Sequence, residues 1–162
     1  MYVNPFINVC SRFYNWFIWI GTHLQSLFLL LIRIIWGHQF IVSGWAKLFT
    51  PEKAIQFFAT LGLAPAYVYL VGLTEFIFGI LILVGFASRL SAIPLIITMI
   101  AAIGLAHNHV FSDLHFIIDP SILVTQTPFP FLIASFIILI FGPGKVSIDG
   151  WIKRLSRNWP QY

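Results

Sequence analysis

The stretch Leu24 to Ala46 reads LQSLFLLLIRIIWGHQFIVSGWA, and it decides what kind of chain this is. An α-helix needs about 20 apolar residues to cross a bilayer, within a range of roughly 17 to 25. This segment has that length and is interrupted mainly by Arg33, His38 and Gln39. A second such segment runs from Val68 to Phe86 with one acid, Glu75, and a third from Leu90 to Ala106. A fourth, Phe129 to Phe141, has only 13 residues. Its shortness predicts an earlier start, near Ile122, or a crossing where the bilayer thins. Pro128 and Pro130 stand where a helix can begin, and Gly142-Pro143-Gly144 is a strong stop.

Composition agrees with this reading. The chain has 162 residues, is 59% hydrophobic and only 9% charged, and has a mean hydropathy of +0.92. Soluble domains carry about 25% charged residues, so a water-soluble globule is excluded. Disorder is excluded too, because it requires low hydrophobicity. The net charge of +4 is spread along the chain and forms no aromatic-interleaved basic patch, so no nucleic-acid partner is expected. The lone Cys10 has no internal disulfide partner. The reading is an all-α, single-domain integral membrane four-helix bundle spanning residues 1–162, with its core at about 24–146.

The flanks have their own character. Residues 1–23 carry Phe13, Tyr14, Trp16, Phe17 and Trp19, rings that prefer the membrane interface. They suit either a helix lying on the surface or an extension of the first span. No small-residue cleavage site follows a short apolar core, so no removable signal peptide is expected. Pro51 to Leu61 places a proline ahead of apolar Ala54, Ile55, Phe57, Phe58 and Leu61, which predicts a short helix on the outer face, ended by Gly62. Residues 147–162 form a basic tail. With the N-terminus inside, the inner segments hold Arg12, Arg89, Lys145, Lys153, Arg154 and Arg157, and the outer loops hold Lys47 and Lys53. That bias satisfies the positive-inside rule and puts both termini in the cytoplasm.

Charges within spans are costly and point to partners or cavities. Depth arithmetic at 1.5 Å per residue brings Arg33 and Glu75 toward similar levels, so a buried Arg33–Glu75 ion pair is expected between the first two spans. Gly37 and Gly44 are seven residues apart, as are Gly72 and Gly79. Small residues at that spacing let helices approach closely. His38 and His107 sit in outer halves of spans, and His109 and Asp113 follow in the loop. Imidazole ligates metals and haem, but no C-x-x-C-H or H-E-x-x-H spacing occurs. No resident metal or haem is therefore expected, with His107, His109 and Asp113 the only weak metal candidates. Neither a nucleophile elbow nor a phosphate-binding glycine loop is present.

These residues fall into a pattern. The run Arg33-Ile-Ile-Trp-Gly37-His-Gln-Phe40-Ile-Val-Ser-Gly44-Trp-Ala-Lys47 resembles the first-helix signature of the DoxX family. Gly72-Leu-Thr-Glu75-Phe-Ile-Phe-Gly79 resembles its second helix, followed by Ser88-Arg89-Leu-Ser-Ala92. Ala101-Ala102-Ile-Gly-Leu-Ala-His107 is similar to the end of its third helix, and Gly142-Pro143-Gly144-Lys145-Val-Ser147-Ile-Asp149 to its closing motif. The resemblance implies a small four-helix protein of a prokaryotic cytoplasmic membrane, associated with quinone-linked or sulfur-compound oxidation. It singles out Arg33, Gly37, Gly44, Lys47, Glu75, Gly79, Arg89, His107, Gly142, Gly144, Ser147 and Asp149. Ser43 departs from it, standing where many members have histidine.

Two kinds of function follow as expectations. One is a subunit or anchor of a membrane redox complex, with a quinone held by His38, Lys47, Glu75 and His107 and a redox enzyme as partner. The other is a small-molecule or lipid carrier, or a cofactor-free scaffold, working with membrane lipid or a second copy of the chain. A shared fold does not by itself transfer a reaction.

Overall fold

A computed structural model of the chain describes residues 5–106, 124 and 126–157. The described residues form helices and connecting turns, without strands. The helices are α1 (Pro5–Phe49), α2 (Glu52–Thr60), α3 (Ala66–Val84), α4 (Ser88–Ala106), α5 (Pro128–Phe141) and α6 (Ile148–Arg157).

The 45 residues of α1 extend for roughly 67 Å at 1.5 Å per residue, more than twice a hydrocarbon core of about 30 Å. Its aromatic N-terminal part is thus continuous with the first span. Phe13, Trp16, Phe17 and Trp19 are exposed along this extension. Of the two expected forms of residues 1–23, the described part is the extension and not a separate surface helix.

Four helices close into a ring. α1 packs along α3, α3 meets α4, α4 packs along α5, and α5 returns to α1. The core inside the ring includes Phe40, Ile82, Leu95, Met99 and Ile138. The outside is equally apolar: Leu27, Ile34, Leu73, Ile77, Ile97, Ile100 and Ile140 are exposed. So extended an apolar exterior is untenable in water and is what lipid contact requires. α1, α3 and α4 are each long and apolar enough to cross a membrane.

α5 corrects the expected start of the fourth segment. It begins at Pro128, with Pro at the first helical turn, after a bend at 126 and a turn at 127. Proline suits that place, since the amide hydrogens there have no helical acceptor. Ile122 lies outside the described residues. At 14 residues α5 covers roughly 21 Å, short of a full hydrocarbon core of about 30 Å.

The α1–α3 register fixes where the polar residues fall. A Cβ added to Gly44 would lie 2.5 Å from the backbone N of Phe76 and 2.6 Å from the carbonyl O of Gly72. Lower down, Gly79 faces Phe40 and Gly37, and Gly37 faces Leu83. The helices therefore run antiparallel, with main chains nearly touching. Each glycine leaves a gap that the opposite helix fills.

Candidate ligand-binding site

Near the C-terminal end of α1, the Lys47 ammonium donates to the Glu75 carboxylate at 2.5 Å and to the Ser43 hydroxyl at 2.7 Å. The backbone dictates this triad. Ser43 and Lys47 are four residues apart, hence on one face of α1. Gly72, one turn before Glu75, leaves the space that Lys47 enters: a Cβ there would sit 2.8 Å from Lys47 Cβ. Lys47 is also in the last turn of α1, where the partial negative charge of the helix end favours a cation. The Glu75 side chain is 4% exposed and that of Lys47 is 19% exposed, so the carboxylate is buried and its cation reaches the edge.

That edge is a cleft of about 940 Å³. Ser43, Lys47 and Glu75 stand in its wall. α2 contributes Phe57 and Phe58, α3 Tyr67, Leu70 and Thr74, α4 Pro94, Ile97, Thr98 and Ala102, and α5 Phe131. The Thr74 and Thr98 hydroxyls donate back to the carbonyls of Leu70 and Pro94 on their own helices. An apolar chamber with a few convergent polar groups is the usual form of a small-molecule site.

The expected Arg33–Glu75 pair is not what the structure holds. In the antiparallel register Arg33 lies opposite Gly85, whose missing side chain its guanidinium occupies. Glu75 is ten residues earlier in α3, roughly 15 Å away along the helix. Arg33 is buried, at 2% exposure, and donates through Nη2 to the Val146 carbonyl at 2.5 Å. Its Nε and Nη1 have no hydrogen-bond partner among the described residues. The depth arithmetic failed because it measured each residue from its own segment end and assumed a register that the glycines do not allow.

At this opposite end the closing motif ties three helices together. The Asp149 carboxylate accepts from the backbone N–H groups of Ala87 and Ser88, at 2.8 and 2.9 Å, capping the start of α4. Its own N–H donates to the Gly85 carbonyl. Ala87 holds a left-handed φ of 45°, which this carboxylate helps to fix. Ser147 accepts from Gly150 N–H and donates to the Gly144 carbonyl, capping α6. Gly142 and Gly144 turn the chain at φ of 77° and 79°, and Arg89 donates to the Ile140 carbonyl. Arg33, Arg89, Gly142, Gly144, Ser147 and Asp149 thus form a structural junction, remote from the cleft.

His38 is exposed and stands nine residues before Lys47, which is two and a half turns and so the opposite side of α1. It does not line the cleft, and a quinone or haem ligand there would face away from Glu75. His107, His109 and Asp113 lie outside the described residues. Sequence reasoning missed Ser43 as a member of the site and missed the Lys47–Glu75 pairing. The available signal was the i,i+4 spacing of Ser43 and Lys47 together with the matched glycine pairs, which set the register.

A ring of apolar helices with a buried carboxylate–ammonium pair at an internal cleft defines a multi-pass membrane protein. Comparison with known proteins gives its family: the chain belongs to the DoxX family, whose profile matches residues 28–108. It is 38% identical over 74 residues to a Bacillus subtilis protein named "Putative oxidoreductase CatD", covering 46% of this chain and 55% of that one. The chain thus matches only about half the length of that relative. It is 28% identical over 134 residues to "Uncharacterized membrane protein Rv3486" of Mycobacterium tuberculosis, covering 78% of this chain and 80% of that one. No solved structure matches it. The family profile ends near the last described residue of α4, so it covers Arg33, Gly85 and Arg89 of the junction but not Ser147 and Asp149.

Proposed function

We propose that this protein is the membrane subunit or anchor of a redox complex, and that its cleft receives a quinone. The observation that carries this reading is the Lys47–Ser43–Glu75 triad on the wall of a 940 Å³ apolar chamber. An ammonium has three donors. Two are directed to Ser43 and Glu75, which leaves a third for the carbonyl oxygen of an incoming ring. Apolar walls such as Phe57, Leu70, Ile97 and Phe131 suit a ring and the start of an isoprenoid tail. When bound, the quinone supplies the two-electron chemistry; the chain supplies binding and orientation, and a partner enzyme supplies the electrons. The word oxidoreductase in the name of the Bacillus subtilis relative points in the same direction.

The test is extraction of quinones from protein purified in mild detergent, together with titration of a short-chain ubiquinone. About one quinone per chain is expected, reduced at least tenfold by Lys47→Ala and unchanged by His38→Ala. Equal retention by Lys47→Ala removes Lys47 from the site. Failure of the wild-type chain to retain or bind any quinone overturns the reading.

We also place the protein in a prokaryotic cytoplasmic membrane with both termini inside. Arg12, Arg89, Lys145, Lys153, Arg154 and Arg157 at one end, against Lys47 and Lys53 at the other, support this orientation. Reporter fusions at each terminus that are active only in the cytoplasm are the expected result, and a periplasmic C-terminus refutes it.

A further inference from the structure

At the junction end of the bundle, a second cleft of about 460 Å³ opens between α1, the α5–α6 connection and α6. We infer that it binds the phosphate-bearing headgroup of an anionic phospholipid. It lies at the opposite end from the Lys47–Glu75 site and does not depend on the quinone reading.

The ionisable residues lining the cleft are Lys145, Lys153 and Arg154, and no carboxylate lines it among the described residues. Beside them stand hydroxyl and amide groups on one stripe of α1, from Thr22, Gln25 and Ser26. This cationic wall is held in place. The Lys145 N–H donates to Ser26 Oγ at 3.1 Å, and Arg154 donates one N–H to the Lys145 carbonyl at 3.1 Å. A guanidinium has five donors, so that bond leaves the fork available to a phosphate.

The remaining features distinguish a lipid from a free anion. Leu29 and Phe141 line the same cleft, an apolar wall that an acyl chain can follow and inorganic phosphate cannot use. The position is also right. α3 ends at Val84 and α5 at Phe141, so the cleft stands where the apolar helices stop and headgroups begin. Finally, α6 exposes Ile148, Trp151, Ile152 and Leu155, a stripe at helical spacing that fits a helix lying in the membrane surface. Such a helix brings its cationic residues to headgroup level.

The experiment uses the full chain in dodecyl maltoside, titrated with dioleoyl-phosphatidylglycerol, dioleoyl-phosphatidylcholine or inorganic phosphate and read by native mass spectrometry. One phosphatidylglycerol per chain is expected to be retained in preference to phosphatidylcholine. Each basic residue near an anionic headgroup accounts for roughly fivefold in affinity, so Lys145→Gln with Arg154→Gln should weaken retention about 25-fold. The equal charge loss Arg12→Gln with Lys53→Gln should leave it within about twofold. If the double variant does not fold, Lys145→Gln alone is expected to give the fivefold loss. Equal weakening by both double variants overturns the site, because net charge alone would then explain binding. So does equal retention of the two lipids. Tight binding of inorganic phosphate that displaces phosphatidylglycerol overturns the lipid assignment in favour of a free anion.

Discussion

Replacing Gly44 by alanine tests the α1–α3 register on which the whole site depends. The added Cβ would lie 2.5 Å from Phe76 N, 2.6 Å from Gly72 O and 2.9 Å from Phe76 Cα. All three are backbone atoms and cannot rotate away. Ordinary contact begins near 3.4 Å, so the helices must part by roughly 1 Å at the level of Lys47 and Glu75. Overpacking of this kind costs about 1 to 3 kcal/mol, and immovable neighbours place Gly44 at the upper end. Alanine recovers up to about 1 kcal/mol of helix propensity over glycine. The net expectation is a loss of about 2 kcal/mol, or roughly 4 to 8 °C in the thermal midpoint of the detergent-solubilised chain. Gly37→Ala meets Leu83 at 3.1 Å and should be milder. A Cβ added at Gly104 meets nothing within 4 Å among the described residues, so Gly104→Ala should be neutral or stabilising by up to about 1 kcal/mol. The decisive outcome is the order of the three midpoints. If Gly44→Ala is no worse than Gly104→Ala, the close antiparallel packing of α1 on α3 is wrong, and the pairing of Lys47 with Glu75 loses its basis.

Lys47→Met leaves the Glu75 carboxylate buried without its cation and should cost about 3 kcal/mol, the lower end for breaking a buried pair because Lys47 is partly exposed; adding Glu75→Leu should restore most of it, measured by unfolding in a denaturing detergent. Arg33→Met should leave quinone retention near the wild-type level in the extraction assay, since Arg33 serves the junction and not the cleft; a loss as large as that of Lys47→Ala would contradict the separation of the two. Gly85→Ala combines a left-handed φ of 75° with a Cβ placed in the Arg33 guanidinium, and a loss of at least about 2 kcal/mol is expected in the same unfolding assay. Asp149→Ala removes the acceptor of the Ala87 and Ser88 amide hydrogens at the start of α4 and should cost about 0.5 to 2 kcal/mol; hydrogen exchange should quicken at Ala87 and Ser88 while the α1–α3 interface stays protected.

Apolar run length and the scarcity of charge were enough to determine the membrane class, the all-α fold, the positions of α3 and α4 and the spanning part of α1, though not its continuation back to Pro5. These are local properties: a segment of about 20 apolar residues has few stable states other than a spanning helix. The glycine pairs in the first two spans were legible for the same reason, because small residues at helical spacing mark one face. The start of α5 was legible in Pro128, yet length arithmetic pulled the expectation toward Ile122. What only the tertiary structure decided is which charges meet. Arg33 and Glu75 were recognisable as charges within spans, and Lys47 as a candidate ligand at the outer end, but pairing depends on how far α1 slides along α3. That register is set where Gly44 and Gly72 let the two backbones meet, and it carries Glu75 to Lys47 and Ser43 while delivering Arg33 to Gly85 and Val146. Likewise, nothing local in Asp149 announces that its carboxylate caps a helix 61 residues earlier in the chain. An ion pair or a cap between distant segments is a property of the packed bundle, because its energy depends on distances that no single helix contains.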